Sequence, residues 1–311
     1  AEAVVKKLRE VNQDFDGRHE AEVRDGRVVG LSISSVGVTD LTPLAALPAL
    51  ERFRGEGRWD DVGKRMYWGG IESLEALRGL PLAELDLARN PIEDLSPLRG
   101  MPLLKLGFST CGVSDLRPLE KLPLRTLDLS NNPVRDLASL RGLSLTYLAA
   151  WRTGAEDLSP LASSPLEGLN VSGSRVRDIG PLRGKPLVYL DLDDCPVTDL
   201  SPLGGLPVGE LRGPFDPVRD AALLASMKVL RTVNGVPLAE FLKRKPAPAW
   251  RPLFDGRTLD FLTLGGEGGW TVVRGALEKI PGARAAAQTV EQFGDADLRI
   301  RFEVLDVGYA N

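Results

Sequence analysis

Three aromatic residues, Tyr147, Trp151 and Tyr189, stand close in register to Asn170, Asp191 and Asp193 in a chain whose aromatic content is only 6%. Tyr147 and Tyr189 are 42 positions apart, and Asn170 and Asp191 are 21 apart. Side chains of these types suit recognition rather than covalent chemistry. Rings give broad contact at low entropic cost, while amides and carboxylates orient a peptide or a sugar by hydrogen bonds. The aspartates add negative charge that favours a basic segment. No nucleophile stands beside a base. The chain holds one histidine, His19, which excludes a multi-histidine metal site and leaves little room for a histidine-based triad. The six residues are therefore the candidate partner-binding set, and no catalytic, cofactor-binding or metal residue is assigned.

Other residue types narrow the field further. Lys plus Arg is 39 and Asp plus Glu 43, a net charge of −4, which argues against a generalised nucleic-acid or anionic-membrane surface. No window of 18 apolar residues is present, so no membrane span is expected, and the compartment is left open. Cys111 and Cys195 are four repeat lengths apart, which at the spacing of stacked strands is roughly 19 Å. That is beyond the reach of a disulfide, so both are expected to be structural thiols.

The elements that position these residues are read from an internal repeat. Leu82, Leu103, Leu124, Leu145, Leu166, Leu187 and Val208 follow one another at intervals of 21 residues. Each unit opens as L-x-x-L-x-L and proceeds to V/I-x-D-L-x-P-L, as in LAELDLARNPIEDLSPLRGM at 82–101. Nine units fit between residue 28 and about 229, the second longer than the rest by some 11 residues, with the insertion falling in GEGRWDDVGKRMYWGG at 55–70. That insertion, carrying Trp59, Met66, Tyr67 and Trp68, is expected either to bind a partner or to pack on the N-terminal cap. One unit cannot bury its apolar side alone, whereas a stack makes a continuous core.

Alternation within each short strand turns Leu85 and Leu87, and equivalents such as Leu127 and Leu129, inward. It also lists the concave side. One column is Glu84, Lys105, Thr126, Tyr147, Gly168, Tyr189, Glu210. The next is Asp86, Gly107, Asp128, Ala149, Asn170, Asp191, Arg212. A third is Ala88, Ser109, Ser130, Trp151, Ser172, Asp193, Pro214. Aspartates at 40, 94, 115, 136, 157, 178, 199 and 220 precede the return segments, where they are expected to accept free backbone N–H groups of a single helical turn rather than to hold calcium.

The period and the L-x-x-L-x-L core resemble leucine-rich repeats. Asn90, Cys111, Asn132 and Cys195 share one position of the unit, and its resemblance to the leucine-rich repeat implies a buried side chain there that bonds turn backbone. The runs DLSPLRGMPL at 94–103 and DLSPLGGLPV at 199–208, the lead-in from Val4 and the closing LRTVNGVPLAEFLKR at 230–244 resemble planctomycete-type bacterial arrays over residues 1–245. The expected fold is α/β: a leucine-rich repeat solenoid, with short parallel β-strands on its concave face and short helical or 3₁₀ return turns. Residues 1–27 are expected to cap the solenoid of 28–245, with a helix at 3–12 (Val4, Val5, Leu8 and Val11 on one side), an Asp25-Gly26 hairpin, and His19 between them. At the other end Asn234-Gly235 turns a last strand towards a helix that starts at Pro237, and 246–252 form a linker.

Residues 253–311 form a different region, expected to be a small, incomplete antiparallel β-sandwich. Trp270–Val273 and the alternating 297–304 read as strands. Leu253-Phe254-Asp255-Gly256, Trp270 with Gly275-Ala276-Leu277, and the run from Phe293 to Arg299 resemble the opening of the 3-keto-disaccharide hydrolase domain family, with Phe261-Leu262 where the family has Gly-Trp. The resemblance implies a concanavalin-like jelly roll and carbohydrate chemistry. Asp255, Asp260, Glu267 and Glu303 are the available carboxylates there, and the sequence does not pair them. The functional expectation is a non-catalytic scaffold that recognises a protein segment or a glycan on its concave face; the alternative is a 3-keto-glycoside hydrolase.

Overall fold

The computed structural model describes residues 1–60 and 63–244, and four strands beyond them. The chain divides into two compact units, Ala1–Pro246 and Ala247–Asn311. The first is a leucine-rich repeat solenoid built on one 12-stranded sheet.

The sheet opens with the cap. Helix α1 (Glu2–Val11) buries Val5 and Leu8 against the first repeat. Val11 is exposed, contrary to its expected inward place, and Asn12 is buried instead. Asn12 Nδ2 donates to the carbonyls of Leu8 and Asp40, and its Oδ1 accepts from the N–H groups of Thr39 and Asp40. Strands β1 (His19–Arg24) and β2 (Arg27–Ser34) form the expected hairpin, with Asp25 and Gly26 both at positive φ as a two-residue turn requires. His19 opens β1, its Nδ1 3.0 Å from the Gly17 carbonyl oxygen.

From β2 the strands run parallel, one per repeat. They are β3 (Arg52–Glu56), then after the inserted strands β4 (Arg58–Asp60) and β5 (Arg65–Tyr67), β6 (Glu84–Asp86), β7 (Lys105–Gly107), β8 (Thr126–Asp128), β9 (Tyr147–Ala149), β10 (Gly168–Asn170), β11 (Tyr189–Asp191) and β12 (Glu210–Arg212). The seven residues at the 21-residue interval are all 0% exposed, the clearest sign that the period marks stacked turns with leucines inward. Leu85, Leu87, Leu95, Leu98 and Met101 are buried in the same core. A short final hairpin, β13 (Thr232–Val233) with β14 (Val236–Pro237), turns at Asn234-Gly235 and leads into helix α3 (Leu238–Phe241), closing the far edge. Helix α2 (Ala221–Ser226) replaces the return turn of the last repeat.

The other return segments are single 3₁₀ turns such as Ser96–Leu98, Arg117–Leu119 and Ser201–Leu203. Asp40, Asp94, Asp115, Asp136, Asp157, Asp178 and Asp199 each accept, through Oδ1, the N–H two residues on at 2.7–2.9 Å. Each satisfies a donor that the turn leaves free. Asp220 departs from the expected pattern. It accepts from the Asp216 N–H and from Arg219, because α2 supplants the turn that Asp220 would otherwise cap.

The second unit contains two antiparallel pairings among its described residues. Leu262–Glu267 pairs with Arg284–Thr289, and Trp270–Val273, a strand expected from its sequence, pairs with Ala276–Lys279. The strand expected at 297–304 lies outside the described residues.

Candidate functional site

The in-register pairing of the parallel strands creates the candidate site. Tyr147 on β9, Gly168 on β10 and Tyr189 on β11 are direct partners, as are Ala149, Asn170 and Asp191 beside them. The two columns read from spacing are thus real rows on the sheet. Gly168 is buried and carries no side chain, and Tyr147 uses the space: a Cβ at Gly168 would lie 2.6 Å from Tyr147 Cδ2. The Tyr147 ring, 38% exposed, therefore lies over the neighbouring strand towards Tyr189.

Tyr189 Oη donates to Asp191 Oδ2 at 3.2 Å. Burial, together with the Asp191 charge, pushes this phenol up to about 12. Burial also raises the Tyr147 phenol, and the charges of Asp128 and Asp191 raise it further. Asp191 itself is buried, 6% exposed, whereas spacing placed it among exposed residues. Its Oδ1 accepts the Asp193 N–H at 3.1 Å, a turn at the strand end that Asp128 and Asn170 repeat with the N–H groups of Ser130 and Ser172. Asn170 and Trp151 are partly exposed and Asp193 is exposed. The Arg152 guanidinium sits 5.6 Å from the Trp151 ring centroid. Ala88, Ser130 and Ala149, also read as members of the concave columns, are buried rather than exposed.

That corner is a feature without an evident sequence signal. Arg89, Thr110, Asn131, Arg152 and Asp194 all adopt left-handed backbone, φ 52–65°, and Gly173 does so in the one repeat that places glycine there. Each such non-glycine residue costs on the order of 1 kcal/mol. The cost is met by the bonds beneath. Asn132 Nδ2 donates to the carbonyls of Phe108, Leu129 and Ser130, and its Oδ1 accepts from Cys111, Gly112 and Val113. Asn90, Cys111 and Cys195 serve the same column, as expected, and Thr153 and Ser174 fill its other places. Both cysteines are free, and burial raises their thiols, that of Cys111 to about 11.

A second feature of the concave face lies outside the six candidate residues. At the N-terminal end, β1, β2, β3, β6 and β7 enclose a hollow of about 330 Å³ lined by Glu20, Glu22, Arg52, Arg54, Glu84, Asp86 and Lys105. Arg52 pairs with Glu22, and Arg54 with Glu56 at 3.0 Å. Burial raises the carboxyls of Glu56 and Asp86, with the charge of Asp86 adding to the effect on Glu56. Continuing the columns from Glu84 and Asp86 back through the enlarged repeat reaches Arg52 and Arg54, a step that the insertion masks in the sequence. The inserted strands β4 and β5 pair with one another, and the Tyr67 ring lies 4.6 Å from both the Arg58 and Arg65 guanidinium carbons. The end of the insertion is tied to two repeats, Gly69 N–H to the Arg89 carbonyl and Gly70 N–H to that of Ser35, while Trp68 is 58% exposed.

Among the described residues, no group of three or more His, Cys, Asp or Glu side chains is placed to hold a metal ion, and no helix is long and apolar enough to cross a membrane. Asp255, Asp260 and Glu303 lie outside the described residues.

One leucine-lined coil per 21 residues, a parallel sheet on the inner side and 3₁₀ turns on the outer define the class: a leucine-rich repeat solenoid. Solved structures give it particular neighbours. Internalin C2 from Listeria monocytogenes is 27% identical, with 66% of this chain and 88% of that chain covered and a TM-score of 0.54. The internalin InlF of the same organism is 17% identical over 74% of this chain and 87% of that chain, with a TM-score of 0.47. The functional domain of its InlJ is 18% identical over 67% and 54%, with a TM-score of 0.39. No family model matches the chain, and no curated protein matches it. The chain is thus a solenoid similar to an internalin, and the comparisons give no support to planctomycete-type arrays or to the 3-keto-disaccharide hydrolase family.

Proposed function

We propose that this chain is a non-catalytic binding scaffold that holds a protein segment or a glycan on its concave face, with Tyr147, Trp151, Asn170, Tyr189, Asp191 and Asp193 as the contact set. In this reading 28–245 is the binding array, 1–27 its cap, 246–252 a linker and 253–311 a separate β-sandwich segment. The observation that carries the proposal is the in-register trio Tyr147, Gly168 and Tyr189. Two partly exposed rings are gathered on one strip by the missing side chain between them, and aromatic contact of this kind dominates recognition surfaces. The internalin likeness supports the scaffold part of the reading, because it extends over 88% of internalin C2. The hydrolase alternative gains no support from the described residues.

The test uses the full chain on a peptide array and a glycan array, with Trp151→Ala combined with Tyr189→Ala. Binding to one array that falls at least tenfold in the variant, with unchanged far-UV circular dichroism, is the expected result. Unchanged affinity removes the concave strip as the site.

A further inference from the structure

We infer that the strip between Tyr147 and Tyr189 receives the lysine or arginine side chain of an extended partner segment. This rests on the binding-scaffold reading and narrows its partner to a basic peptide. The placement comes from four adjacent strands. β8 contributes Asp128, β9 Tyr147, β10 the bare Gly168 and β11 both Tyr189 and Asp191. Two rings and two carboxylates therefore face one strip, whose width of about three strand spacings matches three or four residues of extended chain.

Charge decides what fits there. Basic groups near the strip are already engaged: Arg212 pairs with Glu210 at 3.1 Å, and Arg152 lies over Trp151. Asp128 and Asp191 receive backbone N–H and phenol hydrogen bonds, and neither is in a salt bridge among the described residues, although Arg212, beside Asp191 across β12, feels its charge. Asp191 is held nearly out of solvent in that state. The N-terminal hollow differs, since its arginines pair with Glu22 and Glu56. An incoming cation at the hollow meets the fixed charges of Arg52, Arg54 and Lys105, whereas at the strip it finds Coulomb and cation–π attraction with no cation of the described residues seated between the two rings. A basic side chain flanked by two phenols and two aspartates is thus the complementary guest.

The neighbouring repeat supplies a control that keeps the fold. Asn170 occupies the place of Asp191 and makes the same turn bond, Oδ1 accepting the Ser172 N–H at 3.0 Å. Asp128→Asn with Asp191→Asn therefore removes charge while retaining the turn acceptors. The experiment pans a phage library of linear dodecapeptides on the full chain and measures the best binder by fluorescence anisotropy. The expected result is selection of a lysine or arginine at one position. Replacing that residue by Nε-acetyllysine, or using the double asparagine variant, then weakens binding about tenfold, and 0.5 M salt weakens it similarly. If Tyr147→Ala with Tyr189→Ala weakens binding but acetylation and the asparagine variant do not, or if only a glycan array gives binding sensitive to these tyrosines, the cation is wrong and the scaffold reading stands. If the tyrosine variant binds every probe as the parent does, both fail. A library that yields no basic binder overturns the inference.

Discussion

Two regions of the concave face are built from successive strands of one sheet and treat charge differently. At β1 to β7, acidic and basic side chains alternate along the columns, and Arg52 and Arg54 pair with Glu22 and Glu56 within the molecule. From β8 to β11, two tyrosines and two aspartates gather with no basic side chain between them. The first surface mixes acidic and basic groups; the second gathers acidic ones beside two rings. The backbone that carries both is one regular ladder, so the difference arises only from which side chains face each other across neighbouring coils.

Predictions that bear on this contrast run from the largest effect to the smallest. Leu129 is fully buried beneath the middle of the array, so Leu129→Asp places an unpaired carboxylate in the core and costs about 4 kcal/mol or more. Thermal melting should show several repeats lost together, and both ends with them; a variant that melts like the parent breaks the picture of one shared core. Asn132→Ala removes the side chain that bonds turn backbone on both sides and leaves those groups unsatisfied, at a cost of about 2–4 kcal/mol by urea titration. The joint loss of Trp151 and Tyr189 affects affinity rather than melting, as above. Gly168→Ala forces the Tyr147 ring aside, since the new methyl group meets it at 2.6 Å. Because the partly exposed ring can swing outward as a whole, stability should stay within about 1 kcal/mol of the parent, while partner affinity changes.

The smallest effect concerns pH. Burial raises the Asp86 carboxyl, so the folded state holds its proton more tightly than the unfolded chain does. Its unfavourable contribution is full above the raised value and is relieved as pH falls through it. Asp86→Asn keeps the acceptor for the Ala88 N–H and should stabilise the hollow above the carboxylate range, by no more than about 1 kcal/mol. Asp115 behaves in the opposite sense. The Arg117 guanidinium and backbone N–H hold it down to about 2, so its contribution is present above the ordinary aspartate value and drains away as pH falls towards 2. Asp115→Asn should therefore flatten the acid limb of the melting profile, and Asp86→Asn should steepen it.

How far these features were legible varies by residue. Leu82 and its successors revealed the coil because every turn has the same length, and Asp94 and its counterparts revealed their capping bonds because the donor lies two residues on. Tyr147, Trp151, Asn170 and Tyr189 could be placed in rows for the same reason. Asp191 was assigned its row but not its burial, which depends on Tyr189 across the same strand and on the turn that follows. The left-handed corners at Arg89, Thr110 and Arg152 carried no glycine to announce them. Arg52 and Arg54 fell from view because the insertion after β3 breaks the count.

Sequence alone therefore determined which residues share a column, since a constant repeat length converts position directly into register. Tertiary structure alone decided which members of a column meet solvent and which charges find partners. Those outcomes depend on side chains from different coils, where the void at Gly168 or the reach of Arg52 to Glu22 is set by neighbours a full repeat or more away in the chain.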